Sequence, residues 1–322
     1  MKFNRFIKIL IAATFTVVAI TGQAQNYPQR TVTIIAPFAP GGSADGIARL
    51  VARELSKEFG QSVIVENKPG AGGATGLLAV AKSNPDGYTI GIGATGAVVI
   101  APHLPDAPPL NPDKQLQPLA KVADIPLLFV ASQNSGFNNL QALITSARSN
   151  AVPIGNAGQY TAHHLSAELM ASMSKTKSIA VPYKGSGPAV ADLLGGQLPV
   201  GVVDLTAAIS HIKSGSLKAL AITSAQRSKL APEIPTVAEA GVPGYVAPAW
   251  MGLFGPKGLP ETISDRLSKG LQTVLAKSDV QQQILALSAE PAYLSTAHFT
   301  DFIATESKRW SGVITNFSKS SR

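Results

Sequence analysis

His164 and Glu168 stand one helical turn apart and are spaced to share a metal ion. No H-E-x-x-H motif surrounds them, the five histidines are scattered, and no third ligand is apparent. Paired instead with Asp204, His164 would offer the base and carboxylate of an exported hydrolase. No G-x-S-x-G elbow supplies its nucleophile. Two S-x-x-K phrases, Ser172–Lys175 and Ser174–Lys177, lack the S-D-N and K-T-G partners of a penicillin-binding site. Gly91 to Gly96 spells G-x-G-x-x-G, but proline soon interrupts the segment after it, and the acid at about the right offset, Asp113, sits in a Pro-rich stretch. No phosphate-binding G-x-x-x-x-G-K-[ST] occurs, and zero cysteines exclude thiol chemistry and disulfides. The sequence predicts no catalytic residue, no metal and no cofactor.

The loops suit another task. "PFAPGGSADGIARL" (Pro37 to Leu50) lies between an apolar strand and an amphipathic helix. Gly41 and Gly42 give a tight turn without side-chain cover, and Ser43 and Asp45 are good helix-capping residues. A bare loop followed by a helix N-terminus presents unpaired N–H donors, which suits an anion. Four further strand-following loops repeat the theme: "PGAGGATG", "ATGA", "NAGQYTA" and "PYKGSGP". Glycines and the hydroxyls of Ser43, Thr75, Thr95, Thr161 and Ser186 dominate them, and Lys184 is their single cation. Such loops bind a negative charge through dipoles, hydroxyls and bridging water rather than through fixed positive charge.

Positioning these loops requires alternating strands and helices. "VTIIA", a helix from about Ser43 to Phe59, "SVIVEN", a helix from about Gly73 to Ser83 and "YTIGIG" read as βαβαβ, the pattern of a parallel sheet covered by helices. A Pro-rich stretch, Ala101 to Pro118, ends this series, and "IPLLFVAS" begins a second. The tail reads as mostly helical, near Glu261–Lys277, Val280–Leu287 and Thr296–Phe317. Two lobes are expected: residues 25–125 with 247–322, and residues 126–246, joined by crossings near Asp124–Ala131 and Ala247–Leu253. A cleft between α/β lobes is where a ligand binds.

The chain has 322 residues, 45 % hydrophobic, enough for two ordinary lobes. Its net charge of +8 owes three cations to an acid-free start, Lys2, Arg5 and Lys8. The rest are scattered without a basic stripe, which speaks against nucleic acid. Those cations, the apolar run Ile9 to Ile20 and the small residues Gly22 and Ala24 read as a secretory signal over residues 1–24, cut after Ala24. Export into the periplasm is the expectation for a bacterium with two membranes.

Taken together, "YPQRTVTIIAPFAPGGSADGIARLVARELSKEFGQSVIVENKPGAGGATG", "NPDGYTIGIG", "GNAGQYTAHHLSAELM", "VPYKGSGPAVADLLGGQ" and "LAPEIPTVAEAGVPGY" resemble the Bug family of periplasmic solute-binding proteins, the TctC-like receptors of tripartite tricarboxylate transporters. The resemblance spans about Tyr27 to Phe317. It implies an α/β, two-lobed type II periplasmic binding protein clamshell, each lobe a mainly parallel sheet flanked by helices. It implies a monomer that binds a di- or tricarboxylate or an aromatic acid without transforming it. The partners implied are membrane subunits of the TctA/TctB type or, alternatively, a sensor kinase. Carried over by motif, the first lobe contributes Phe38, Ala39, Gly41, Gly42, Ser43 and Asp45, then Gly72, Gly73 and Ala74, then Thr95. The second contributes Gly158, Gln159, Thr161, His164, Pro182, Tyr183, Lys184 and Asp204, the last toward the distal part of the ligand. Two departures bear on ligand identity. Tyr160 replaces a commonly small residue, so that an inward ring would suit an aromatic guest, and "IAPHLP" replaces the usual Asn-Pro phrase.

Overall fold

A computed structural model describes residues 27–320, so the expected export signal over residues 1–24 lies outside the described residues. β1 (Val32–Ala36) is apolar and almost wholly buried, as a strand covered on both faces must be. α1 (Ser43–Phe59) buries Ile47, Leu50, Val51 and Leu55 along one stripe, and Gly60 ends it in the left-handed conformation, its N–H donating to Ser56 O. β2 (Val63–Asn67), α2 (Ala74–Ala81) and β3 (Thr89–Ala94) complete the predicted βαβαβ unit, with β1 parallel to both strands.

After β3 the chain makes one wide turn, Gly96–Ile100, and no long helix comes next, so the glycine pattern there builds no dinucleotide site. A single helical turn, α3 (Pro112–Gln115), leads into β4 (Leu116–Ile125), and only Pro126 separates β4 from β5 (Leu127–Ser132). The second series is α4 (Leu140–Ser149), β6 (Val152–Asn156), α5 (Ala162–Ser174), β7 (Ser178–Pro182), α6 (Ser186–Leu194), β8 (Val200–Asp204), α7 (Leu205–Lys213) and β9 (Leu217–Ile222). Beyond it lie β10 (Ala249–Pro256), α8 (Glu261–Leu275), α9 (Ser278–Ala286), β11 (Glu290–Leu294) and α10 (Thr296–Ser320).

The strands form two sheets, ordered β11-β4-β10-β3-β1-β2 and β7-β6-β8-β5-β9. Both are mixed, which corrects the expectation of mainly parallel ones. β2-β1-β3 and β7-β6-β8 run parallel, while β10, β4 and β11 join the first sheet antiparallel and β5 pairs antiparallel with β8 and β9. The physical reason lies in the passage between sheets: β4 continues almost directly into β5. Ala249 at the start of the returning β10 pairs with Ile125, so the two passages lie side by side.

Two strands escape a reading by composition. β4 carries Pro118 and β11 carries Pro291, and proline argues against strand because it cannot donate to a ladder. Pro118 is tolerated because β11 pairs only with Lys121, Ala123 and Asp124, and because the β4–β10 register shifts beside it. Trp250, Phe254, Phe299 and Trp310 anchor the core beneath α10, with Trp250 edge-on to Phe299 at 5.4 Å between centroids. Among the described residues no helix is long and apolar enough to cross a membrane.

Candidate functional site

The first turn of α1 begins at Gly42, an extended N-cap that has no side chain to satisfy the helix's leading N–H groups. Ser43, buried behind it, donates from Oγ to Asp204 Oδ2 at 2.8 Å, and its N–H approaches the same oxygen at 3.4 Å. Asp204 ends β8, the central strand of the other sheet. Its own N–H donates to Ser186 Oγ in the first turn of α6 (3.1 Å), and its Oδ1 lies 2.7 Å from His163 Nε2. Burial would raise the Asp204 pKa, but the charge and hydrogen bond of His163, with the donors of Ser43, hold it below the ordinary carboxylate value.

His163 is oriented by the start of α5. Thr161 caps that helix, accepting from His164 N–H at 3.2 Å and donating to Gly158 O at 2.6 Å. This leaves His163 in the buried first turn, with its Nδ1 buried and without a partner among the described residues. Ser186 Oγ also faces His163 Nε2, at 3.5 Å. Serine and carboxylate therefore address the same ring nitrogen, whereas a hydrolytic triad needs them on opposite nitrogens.

The loops of the two sheets touch. Ala39 N–H donates to Lys184 O at 3.1 Å. Gly72 has φ +63°, and a Cβ there would lie 2.3 Å from Gln159 O. A Cβ on Gly96 would lie 2.6 Å from both Tyr160 O and Thr161 Cα. Only glycine permits these approaches. Between the loops remains a cavity of about 20 Å³, lined by Phe38, Gly72, Thr95, Thr161, His163 and Asp204 along with the crossing strands. It has room for about one water and is too small for an organic molecule while the loops touch.

The expected site residues divide into three groups. Phe38, Gly72, Thr95, Thr161 and Asp204 line the cavity. Gly42 packs on Asp204, Gly73 lies under the Phe38 ring, and Ala74 and Gly158 are buried behind them. Asp45 braces the first loop. It accepts from Gly41 N–H, Arg49 and Asn67, and Asn67 also holds Phe38 O at 3.0 Å. Burial opposes its ionisation, and the hydrogen bonds from Arg49 and Asn67 still bring its pKa below the usual value. Thr95 spends its hydroxyl on Trp250, accepting from N–H at 2.8 Å and donating to the carbonyl at 3.3 Å.

Gln159, Pro182 and His164 lie elsewhere, lining an outer pocket of about 200 Å³ with Asn156 and Ala180. Tyr183 reaches away to Asp192 (2.6 Å), and burial, reinforced by that carboxylate, pushes its pKa up to about 12. Lys184 is exposed, and its backbone carbonyl is what meets the other lobe. His164 accepts from Tyr160 N–H through Nδ1 at 3.2 Å, and burial lowers its pKa. Asp204 is thus paired with His163, not with His164. Among the described residues no group of three potential metal ligands comes together. Tyr160 turns outward as well. At φ +65° it sends its hydroxyl to Asp106 O at 2.9 Å, and its ring lines an outer groove with His164 and Glu168.

Sequence reasoning missed His163 and the crossing-strand residues Ile125, Leu127, Trp250 and Met251, all of which line the cavity. For His163 a signal existed. His164 shares its helical face with Glu168 and Lys175, a polar face, whereas His163 shares its face with Ala167 and Met170, both buried. The crossing residues carry no such mark, since they differ in nothing from core positions.

Known proteins share this fold. The family model described as "Tripartite tricarboxylate transporter family receptor" (TctC) matches residues 47–318. The solved periplasmic binding protein BugD is 33 % identical, with a TM-score of 0.85 over 90 % of this chain and 98 % of its own. A protein of R. palustris solved with adipate is 32 % identical, with a TM-score of 0.85 over 90 % of this chain and 97 % of its own. MatC from Rhodopseudomonas palustris with bound malate is 31 % identical, with a TM-score of 0.83 over 89 % of this chain and 100 % of its own. The two-lobed architecture is that of these binding proteins.

Proposed function

The chain belongs to the TctC family of tripartite tricarboxylate transporter receptors, and from that premise we propose that it captures a small organic carboxylate in the periplasm and delivers it to membrane transporter subunits, making and breaking no bond. The observation that carries this reading is local. The uncapped first turn of α1 already holds a carboxylate, that of Asp204, through the N–H and hydroxyl of Ser43. A ligand carboxylate fits the same donors. Phe38, Gly72, Thr95, Thr161, His163 and Asp204 would surround it, and the lobes would open and close about the passages near Asp124–Ala131 and Ala247–Leu253. Relatives solved with adipate and malate are consistent with this ligand class.

The test is a melting series of the mature protein with di- and tricarboxylates and aromatic acids. A ligand at 1,000 times its Kd stabilises the protein by about 4 kcal/mol, a rise of several degrees for a chain of this size. Melting that no acid moves would sink the reading.

A further inference from the structure

Resting on the receptor reading, we infer that Asp204 is a specificity-determining residue: it selects acids bearing a hydroxyl or ammonium on the carbon next to the carboxylate over the same acids without one. In the closed lobes Asp204 Oδ2 takes both donors of Ser43. A ligand carboxylate that takes those donors must displace it, because one hydroxyl proton serves one acceptor. Asp204 cannot retreat far. Its N–H is tied to Ser186 Oγ and its Oδ1 to His163 Nε2, both on the second lobe. Oδ1 therefore stays satisfied while Oδ2 is stripped of its partners and left facing the ligand.

That oxygen is in a poor place to stand bare. Asp204 is 4 % exposed, and the cavity wall holds no Lys or Arg among the described residues. Its titratable neighbour at hydrogen-bonding distance is His163, already engaged through Nε2. A buried ionised oxygen without a donor is unfavourable, and one that gains a donor forms a charge-assisted hydrogen bond. Asp204 Oδ2 stands directly opposite Ser43 Oγ in the closed lobes, so when the lobes are held apart by the thickness of a bound acid, the ligand atom that faces Oδ2 is a near neighbour of the carboxylate held by Ser43, rather than the distal end that the family resemblance implies. A hydroxyl or ammonium at that carbon supplies the missing proton, whereas an unsubstituted carbon supplies none.

Isothermal titration of the mature protein with matched pairs decides this: lactate against propionate, malate (and aspartate) against succinate, mandelate against phenylacetate. The expected result is a preference of about 10- to 100-fold for the substituted acid in every pair that binds. In Asp204→Asn the preference falls below about threefold, because the replacement oxygen is uncharged and the amide supplies its own donor. Equal affinities within a binding pair of the wild-type protein overturn the inference, and so does an unchanged preference in a folded Asp204→Asn. Should that variant fail to fold, the wild-type pairs decide alone. If the acids bind without discrimination, the receptor reading survives and this inference does not. If none of them binds, this inference falls, and the receptor reading is decided by the wider acid panel of the melting series.

Discussion

Ser43 and Asp204, 161 positions apart in the chain, are joined by a hydrogen bond of 2.8 Å between a hydroxyl and a buried carboxylate. One belongs to the first sheet's leading helix and the other to the second sheet's central strand, so the bond ties the lobes together. Ser43→Ala leaves Asp204 buried with one donor fewer. The expected loss is about 1–3 kcal/mol of unfolding free energy in the ligand-free protein, measured by denaturant titration at pH 7. An unchanged midpoint would show that the contact does not hold the closed form.

Gly96 has a backbone conformation open to any residue, but its missing side chain makes room for Tyr160 O and Thr161 where the two sheets' loops meet. Gly96→Ala is expected to keep the lobes from meeting without unfolding either. Small-angle scattering should then show no contraction on adding a carboxylate that contracts the wild type, and the affinity should fall at least about tenfold, the equivalent of roughly 1.4 kcal/mol. A contraction equal to the wild type's would refute this role.

Tyr160 bridges the rim of the cleft through its hydroxyl and Asp106 O. Removing that hydroxyl in Tyr160→Phe costs one neutral hydrogen bond of about 0.5–1.5 kcal/mol present only while the lobes are closed. Ligand release should quicken by about two- to tenfold with the association rate unchanged, as read by stopped-flow fluorescence. Because the ring lies outside the central cavity, the preference between aromatic and aliphatic acids should stay as it is. A shifted preference with an unchanged release rate would place the ring inside after all.

His164 makes stability pH-dependent. Burial lowers its pKa in the folded protein, so between the ordinary value of about 6.5 and the lower folded value the unfolded chain binds more protons. Stability is therefore lost as pH falls through that window and levels off below it. The His164 share of the slope cannot exceed about 1.4 kcal/mol per pH unit, the limit for one proton. His164→Gln should flatten the slope between pH 7 and pH 5 in denaturant titrations. Identical slopes in the two proteins would assign the dependence to other groups.

Much of this protein is determined locally, and its sequence declares it. The strand "VTIIA", the helix Ser43–Phe59 with its apolar stripe and closing Gly60, and the bare glycine loops follow from periodicity and from which residues tolerate a tight turn. Those features, with the family motifs, are enough for the two-lobed α/β architecture and for placing Phe38, Gly72, Thr95, Thr161 and Asp204 in the loops that meet. Tertiary structure decided what depends on direction and on distant partners. It admitted Pro118 where β11 does not reach and the register with β10 shifts, and Pro291 on the edge strand of its sheet. It fixed the choice of His163 over His164, at which the helical face shared with Ala167 and Met170 only hints, since one residue's step turns a side chain by about 100° around a helix. It sent Tyr160 outward to Asp106, and it set the carboxylate of Asp204 against Ser43. A contact across 161 positions leaves no periodic trace in the chain, because the sheets that bring its two ends together are built from everything between and beyond them.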